Sequence, residues 1–160
     1  MSTSGAHEVL TWERFGVAIG ELAAAIVTDG FRPDIVLAVA RGGLPVAGAL
    51  AYALDVKQCF AINVEFYAGI DDRHEMPAVL PPTLDPADLH GWHVLIADDV
   101  ADTGKTLELV QREIAEFAAH VRSAVLYRKP WSVVEPDYVW AETERWIDFP
   151  WSVLGPVTPS

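Results

Sequence analysis

Lysine is nearly missing from this chain: Lys57, Lys105 and Lys129 are the only ones in 160 residues. Lysine and arginine together number 11 against 23 acids, a net charge of −12. A surface this acidic repels nucleic acid, so that class of partner is set aside. Cysteine is rarer still. Cys59 stands alone within QCFAINV, cannot form an internal disulfide, and reads as a buried strand residue rather than a nucleophile. Every apolar run is cut by Asp or Gly before the ~20 residues a membrane helix needs. The opening MSTSGAHE has neither a basic region nor an apolar core, so no signal peptide is expected and the cytoplasm is. The histidines at 7, 74, 90, 93 and 120 lack metal-ligand spacing, and His90-x-x-His93 reads as a solvated turn.

What remains is apolar enough, at 51%, to bury the core of one domain spanning 1–160. Thr11 can cap a helix in which Trp12, Phe15, Ile19, Leu22 and Ile26 share a face, with Gly30 ending it. Asp34–Ala40 is a continuous apolar strand of the parallel-sheet kind, and Arg41-Gly42-Gly43-Leu44-Pro45 breaks it. A helix is expected over 46–54, a strand over 57–66, and strands at 123–127 and 138–140. Residues 68–91 show no periodicity, and a loop that long in a compact domain is usually a lid or disordered. Strands alternate with helices, which predicts an α/β fold with a mostly parallel sheet and ligands at its C-terminal strand ends.

One stretch organises the rest: Val94–Thr106, VLIADDVADTGKT. Val94–Ala97 reads as a buried strand. Asp98 and Asp99 follow, then Asp102, then Thr103-Gly104-Lys105-Thr106. Beyond them Leu107, Val110, Ile114 and Phe117 fall at helical spacing. Backbone N–H groups at Thr103–Thr106 open that helix and can hold a phosphate, favoured by its dipole. Gly104 permits close approach, and two threonine hydroxyls add donors. The carboxylates suit sugar hydroxyls, a divalent cation or a proton in transit. A nucleotide-triphosphate P-loop is rejected, because its first glycine would fall on Asp99. The plainer alternative is an acidic turn with Asp102 capping the helix.

The two acids followed by Asp-Thr-Gly-x-Thr resemble the 5-phosphoribosyl-1-pyrophosphate (PRPP) motif of the type I phosphoribosyltransferases. The resemblance implies that Asp98 and Asp99 touch the ribose hydroxyls and lie near Mg2+ carried mainly by PRPP. It implies further that the 102–106 loop, with Asp102, Thr103, Gly104, Lys105 and Thr106, binds the 5′-phosphate, and that Asp102 handles a proton of the base. Arg41 and Gly42 resemble the family's pyrophosphate loop, which in relatives can carry a strained or cis peptide. The loop after Glu65-Phe66-Tyr67 matches the family's flexible lid, about 67–91, with Tyr67 as its tyrosine and Phe66 where a serine is usual. Lys-Pro, Pro-Asp-Tyr-Val and Trp-Ile-x-x-Pro-Trp resemble the xanthine-guanine-hypoxanthine enzymes. Val-Glu-Phe-Tyr and Lys-Pro-Trp-Ser bring the chain closer to the short purine enzymes of archaea and some bacteria. A flat heterocycle needs a π-face, a donor for its oxygen and polar edge contacts. Trp146, Lys129, and Asp148 with the backbone of Ile147 would supply them, on a small C-terminal hood of about 129–152. Trp151 reads as packing. The reaction so implied is transfer of phosphoribose from PRPP to a 6-oxopurine with release of pyrophosphate, by a homodimer or homotetramer. Another nucleobase, or a regulator that binds PRPP without turnover, stands as the alternative.

Overall fold

The computed structural model describes residues 5–68, 75–79 and 84–159; the side chains of 66–68 and 75–79 lie outside the description. Strand β1 (Glu8–Val9) leads into helix α1 (Trp12–Thr28), strand β2 (Ile35–Ala40), helix α2 (Gly43–Ala53) and strands β3 (Gln58–Ala68) and β4 (Glu75–Val79). A 3-10 turn at Pro86–Leu89 precedes β5 (His93–Ala101), α3 (Lys105–Ala115), β6 (His120–Arg128), β7 (Tyr138–Glu142) and β8 (Ile147–Asp148). Six strands form one sheet in the order β4-β3-β2-β5-β6-β7, all parallel except β4. The chain winds outward from β2 to β3 on one side and from β5 to β6 and β7 on the other. The direction therefore reverses between β2 and β5, and a crevice opens at their C-terminal ends.

Burial explains the layers. β2 is buried from Ile35 to Val39 and β5 from Val94 to Ala97, as a sheet covered on both faces requires. Ile19, Leu22 and Ile26 of α1 join Val46 and Leu50 of α2 in one core, while Leu107, Val110 and Ile114 of α3 join a second. Thr11 caps α1 by accepting the Arg14 N–H at 3.1 Å. Trp12 remains exposed, but its ring lies 6.0 Å from Trp151, which stacks on Phe149 at 4.9 Å in the packing role expected of it. β1 pairs in parallel with β8, so the two ends of the chain lie together.

Several expectations are corrected. α2 starts at Gly43 rather than 46, which puts Pro45 inside its first turn where no intrahelical donor is required. α3 stops at Ala115, leaving Phe117 outside the helix and exposed. Cys59 lies in β3 but is exposed; partial burial still pushes its thiol up, away from thiolate chemistry. β3 continues to Ala68 and pairs antiparallel with β4 from Val64↔Val79 to Ala68↔Glu75. Part of the expected 67–91 loop is thus a hairpin, whose side-chain pattern was hidden by Pro77 on an edge strand. The side chain of Tyr67, and residues 69–74 and 80–83, lie outside the described residues. Among the described residues no helix is long and apolar enough to cross a membrane.

Candidate active site

β5 carries the acids and runs further than its apolar residues alone indicate. It pairs with β2 only as far as Ala97, then continues beside β6 from Asp98↔Val125 to Ala101↔Arg128. Asp98 and Asp99 are therefore extended backbone at the point where β2 falls away. Both side chains are half-buried. The Asp98 carboxylate accepts the Asp99 N–H, and the Asp99 carboxylate accepts the Val100 N–H, each at 2.8 Å. Burial, and after it the charge of Asp99, holds Asp98 well above the usual carboxylate range; burial also raises Asp99.

The Arg41 loop meets these acids directly. The Ala40–Arg41 peptide is cis. A Cβ on Gly42 would collide with the Asp99 carboxylate, and one on Gly43 would lie 2.5 Å from the Ala97 carbonyl. Only glycine lets the two loops approach so closely. Gly104, with φ of +80°, starts α3 without a side-chain cap, and its missing Cβ makes room for Ser132. The helix-capping alternative for Asp102 is thereby ruled out. Backbone N–H groups of the first turn of α3 have no acceptor within the helix, and that of Lys105 reaches Thr103 Oγ1 at 3.4 Å.

A cleft of about 650 Å³ is lined by Gly42, Asp98, Asp99, Asp102 and the whole of 103–106. A second cleft, of about 670 Å³, adjoins it at Gly42 and Asp99 and contains Arg41. A third, of about 510 Å³, shares Val100 and Asp102 with the first and is lined by Lys129, Trp146, Ile147 and Asp148. The structure thus brings the predicted phosphate-binding, acidic and base-binding residues around one branched crevice with Asp102 at the junction.

Lys129 is 6% exposed, and its ammonium donates to the Arg145 carbonyl. An ammonium carries three donors, so two remain for a ligand. Trp146 is 71% exposed at the mouth of its cleft, an open π-face. Asp148 faces His7 Nδ1 at 2.8 Å, a partnership between chain ends that no local pattern signals. Sequence reasoning quoted Trp131 within Lys-Pro-Trp-Ser but missed its place in the site, where its indole N–H donates to Asp102 Oδ1 at 2.9 Å. Its neighbours Lys129 and Pro130 were singled out, but only the β5–β6 register shows that the residues just past Arg128 fall beside Asp102.

Known proteins resemble this chain in sequence and fold. A family model described as the phosphoribosyl transferase domain matches residues 5–156. The xanthine-guanine phosphoribosyltransferase of Ruegeria sp. (strain TM1040) is 34% identical over 136 residues, 78% of this chain and 74% of that protein. The enzyme of the same name from Gluconobacter oxydans (strain 621H) is 29% identical, covering 96% and 89%. Among solved structures, a purine phosphoribosyltransferase from Pyrococcus horikoshii Ot3 superposes with a TM-score of 0.79 at 40% identity, over 95% of this chain and 97% of that one. Family model, sequence identity and superposition agree, and the chain belongs to the phosphoribosyltransferase family.

Proposed function

We infer that this enzyme transfers 5-phosphoribose from PRPP to a ring nitrogen of a 6-oxopurine, releasing pyrophosphate, as a purine salvage reaction. The observation that carries the reading is the junction at Asp102. The 103–106 loop at the start of α3 lies on one side of it, and a cleft with a buried ammonium and an exposed indole lies on the other.

The residues divide the work by their chemistry. The N–H groups and hydroxyls of 103–106 hold the 5′-phosphate at the start of α3, with Lys105 adding charge. Asp98 and Asp99 accept from the ribose hydroxyls. Arg41 pairs with the pyrophosphate, whose fixed charge an arginine fork suits. Trp146 stacks on the purine, Lys129 donates to its 6-oxygen, and Asp148 with the Ile147 backbone reads its edge. Lys129 has no acceptor for the 6-amino group of adenine, so the cleft favours an oxo substituent.

In the transfer, the C1–O bond breaks with its electron pair leaving on pyrophosphate. The purine nitrogen that attacks bonds to C1 through its lone pair, and Asp102 takes or shares the N7 proton as it does so. Two half-buried carboxylates of raised pKa facing the phosphate cleft are hard oxygen donors that gain from a nearby cation, so the site fits Mg2+. Mg2+ bound with PRPP would neutralise charge building on the pyrophosphate. Tyr67, in the hairpin segment, is assigned to the lid that keeps water from the reacting centre.

Pyrophosphate release tests this with PRPP, Mg2+ and guanine, xanthine or hypoxanthine in turn. Turnover with at least one is expected. PRPP binding without turnover on any 6-oxopurine would make the protein a sensor instead.

A further inference from the structure

We propose that Trp131 is a positioning residue for Asp102, holding one carboxylate oxygen so that the other is presented to the purine. The inference rests on the reading of Asp102 as the proton acceptor and adds a residue that this reading does not contain. The geometry is specific. The Trp131 indole N–H donates to Asp102 Oδ1 at 2.9 Å, although Trp131 is 53% exposed and Asp102 is exposed too. An exposed aspartate on a loop would ordinarily turn freely about its terminal bond.

The segment bearing the indole is itself held down. The Lys129 N–H donates to the Ala101 carbonyl at 3.0 Å, and the Val133 N–H donates to the Thr103 carbonyl at 2.9 Å. Those two bonds flank Trp131 on its own segment and Asp102 on the other, so the two residues are fixed face to face. Ser132 fills the space left by the missing Cβ of Gly104. Lys129 Nζ lies 5.7 Å from the indole centroid, which steadies the ring from the base side.

The chemistry gives the direction of the effect. An indole N–H can only donate, so it binds a carboxylate oxygen and never competes for the purine proton. With Oδ1 occupied, Oδ2 is the oxygen left for the purine. Fixing a reacting group in this way acts on the rate and not on ground-state binding. The same contact ties the base-site segment to the phosphate loop, so both halves of the crevice share one reference point.

The test is a cycle of four proteins: wild type, Trp131→Phe, Asp102→Asn and the double variant. Phenylalanine keeps a ring beside Lys129 and removes the N–H. Trp131→Phe should lower kcat by roughly 10- to 100-fold, with the KM for PRPP unchanged. On the Asp102→Asn background it should cost nothing further. Unchanged kcat, equal losses on both backgrounds, or a loss confined to the KM for PRPP would each overturn the inference. If Asp102→Asn alone leaves kcat intact, the proton role fails and this inference with it. If Asp102→Asn is slow but Trp131→Phe is not, only the positioning role fails. A second readout needs no folded Trp131 variant: the Trp131 indole N–H resonance should move in Asp102→Asn, and a resonance that stays put contradicts the contact.

Discussion

Asp102 is the residue at which the two halves of the crevice meet, and its replacement separates chemistry from binding. Asp102→Asn keeps the shape and cannot accept a proton. Removing a general base costs about 100- to 10,000-fold in rate, so kcat should fall that far while the KM for PRPP stays within a small factor. Steady-state kinetics with varied PRPP checks it. The proposed acceptor choice rests on Lys129. Stranding a purine oxygen that expects a charged donor costs on the order of 1.5–3 kcal/mol, roughly 10- to 150-fold in kcat/KM for 6-oxopurines. Because Lys129 also holds the Arg145 carbonyl beside Trp146, Lys129→Ala should weaken every base somewhat and 6-oxopurines most. A uniform loss across 6-oxopurines and adenine would leave Lys129 a mere tether. Asp98 carries a cost in the ligand-free fold. Its raised pKa means that the native state retains a proton the unfolded chain releases. Between the ordinary aspartate value of about 3.9 and that raised value, stability falls as pH rises. Asp98→Asn should therefore raise the ligand-free Tm at pH 7.5, an advantage that shrinks toward pH 4, while weakening PRPP binding. Scanning calorimetry across that range decides.

At the scale of the element, glycines set how closely the loops meet. Gly42→Ala would drive a methyl group into Asp99, and Gly104→Ala would demand φ of +80° from a residue with a Cβ. Both variants should fold and lose PRPP affinity more than base affinity, as calorimetric titration of each ligand would show. The turn from β5 into α3 was legible in the sequence because its information is local: strand, acids, glycine and threonines lie within Val94–Thr106. The buried faces of α1 and β2 were legible through their periodicity for the same reason. The run of β5 past Ala97 was not, because it depends on β6 as partner and not on hydrophobicity. Pro45 reads correctly as a first-turn residue of α2, but the start at Gly43 was hidden because Gly42-Gly43 reads as loop. The contacts of Trp131 and His7 were not legible because their partners, Asp102 and Asp148, are 29 and 141 residues away.

The whole molecule must bring a polyphosphate to a surface of charge −12. Three of its eleven lysines and arginines line the branched crevice: Arg41 and Lys105 in the clefts proposed for the phosphates, and Lys129 in the cleft proposed for the base. A cation bound with the substrate should offset the remaining repulsion, so chelating Mg2+ should abolish turnover and its return restore it. The fold places all of this at one switch point between β2 and β5, leaving the opposite end of the sheet to packing such as the His93 ring stacked on Phe31. The measurement that tests the account most directly is identification of the product formed from PRPP and Mg2+ with guanine, xanthine, hypoxanthine and adenine offered together. The account predicts a 6-oxopurine mononucleotide with one pyrophosphate per nucleotide, and little from adenine. Adenine mononucleotide as the main product, or no nucleotide despite bound PRPP, would contradict it.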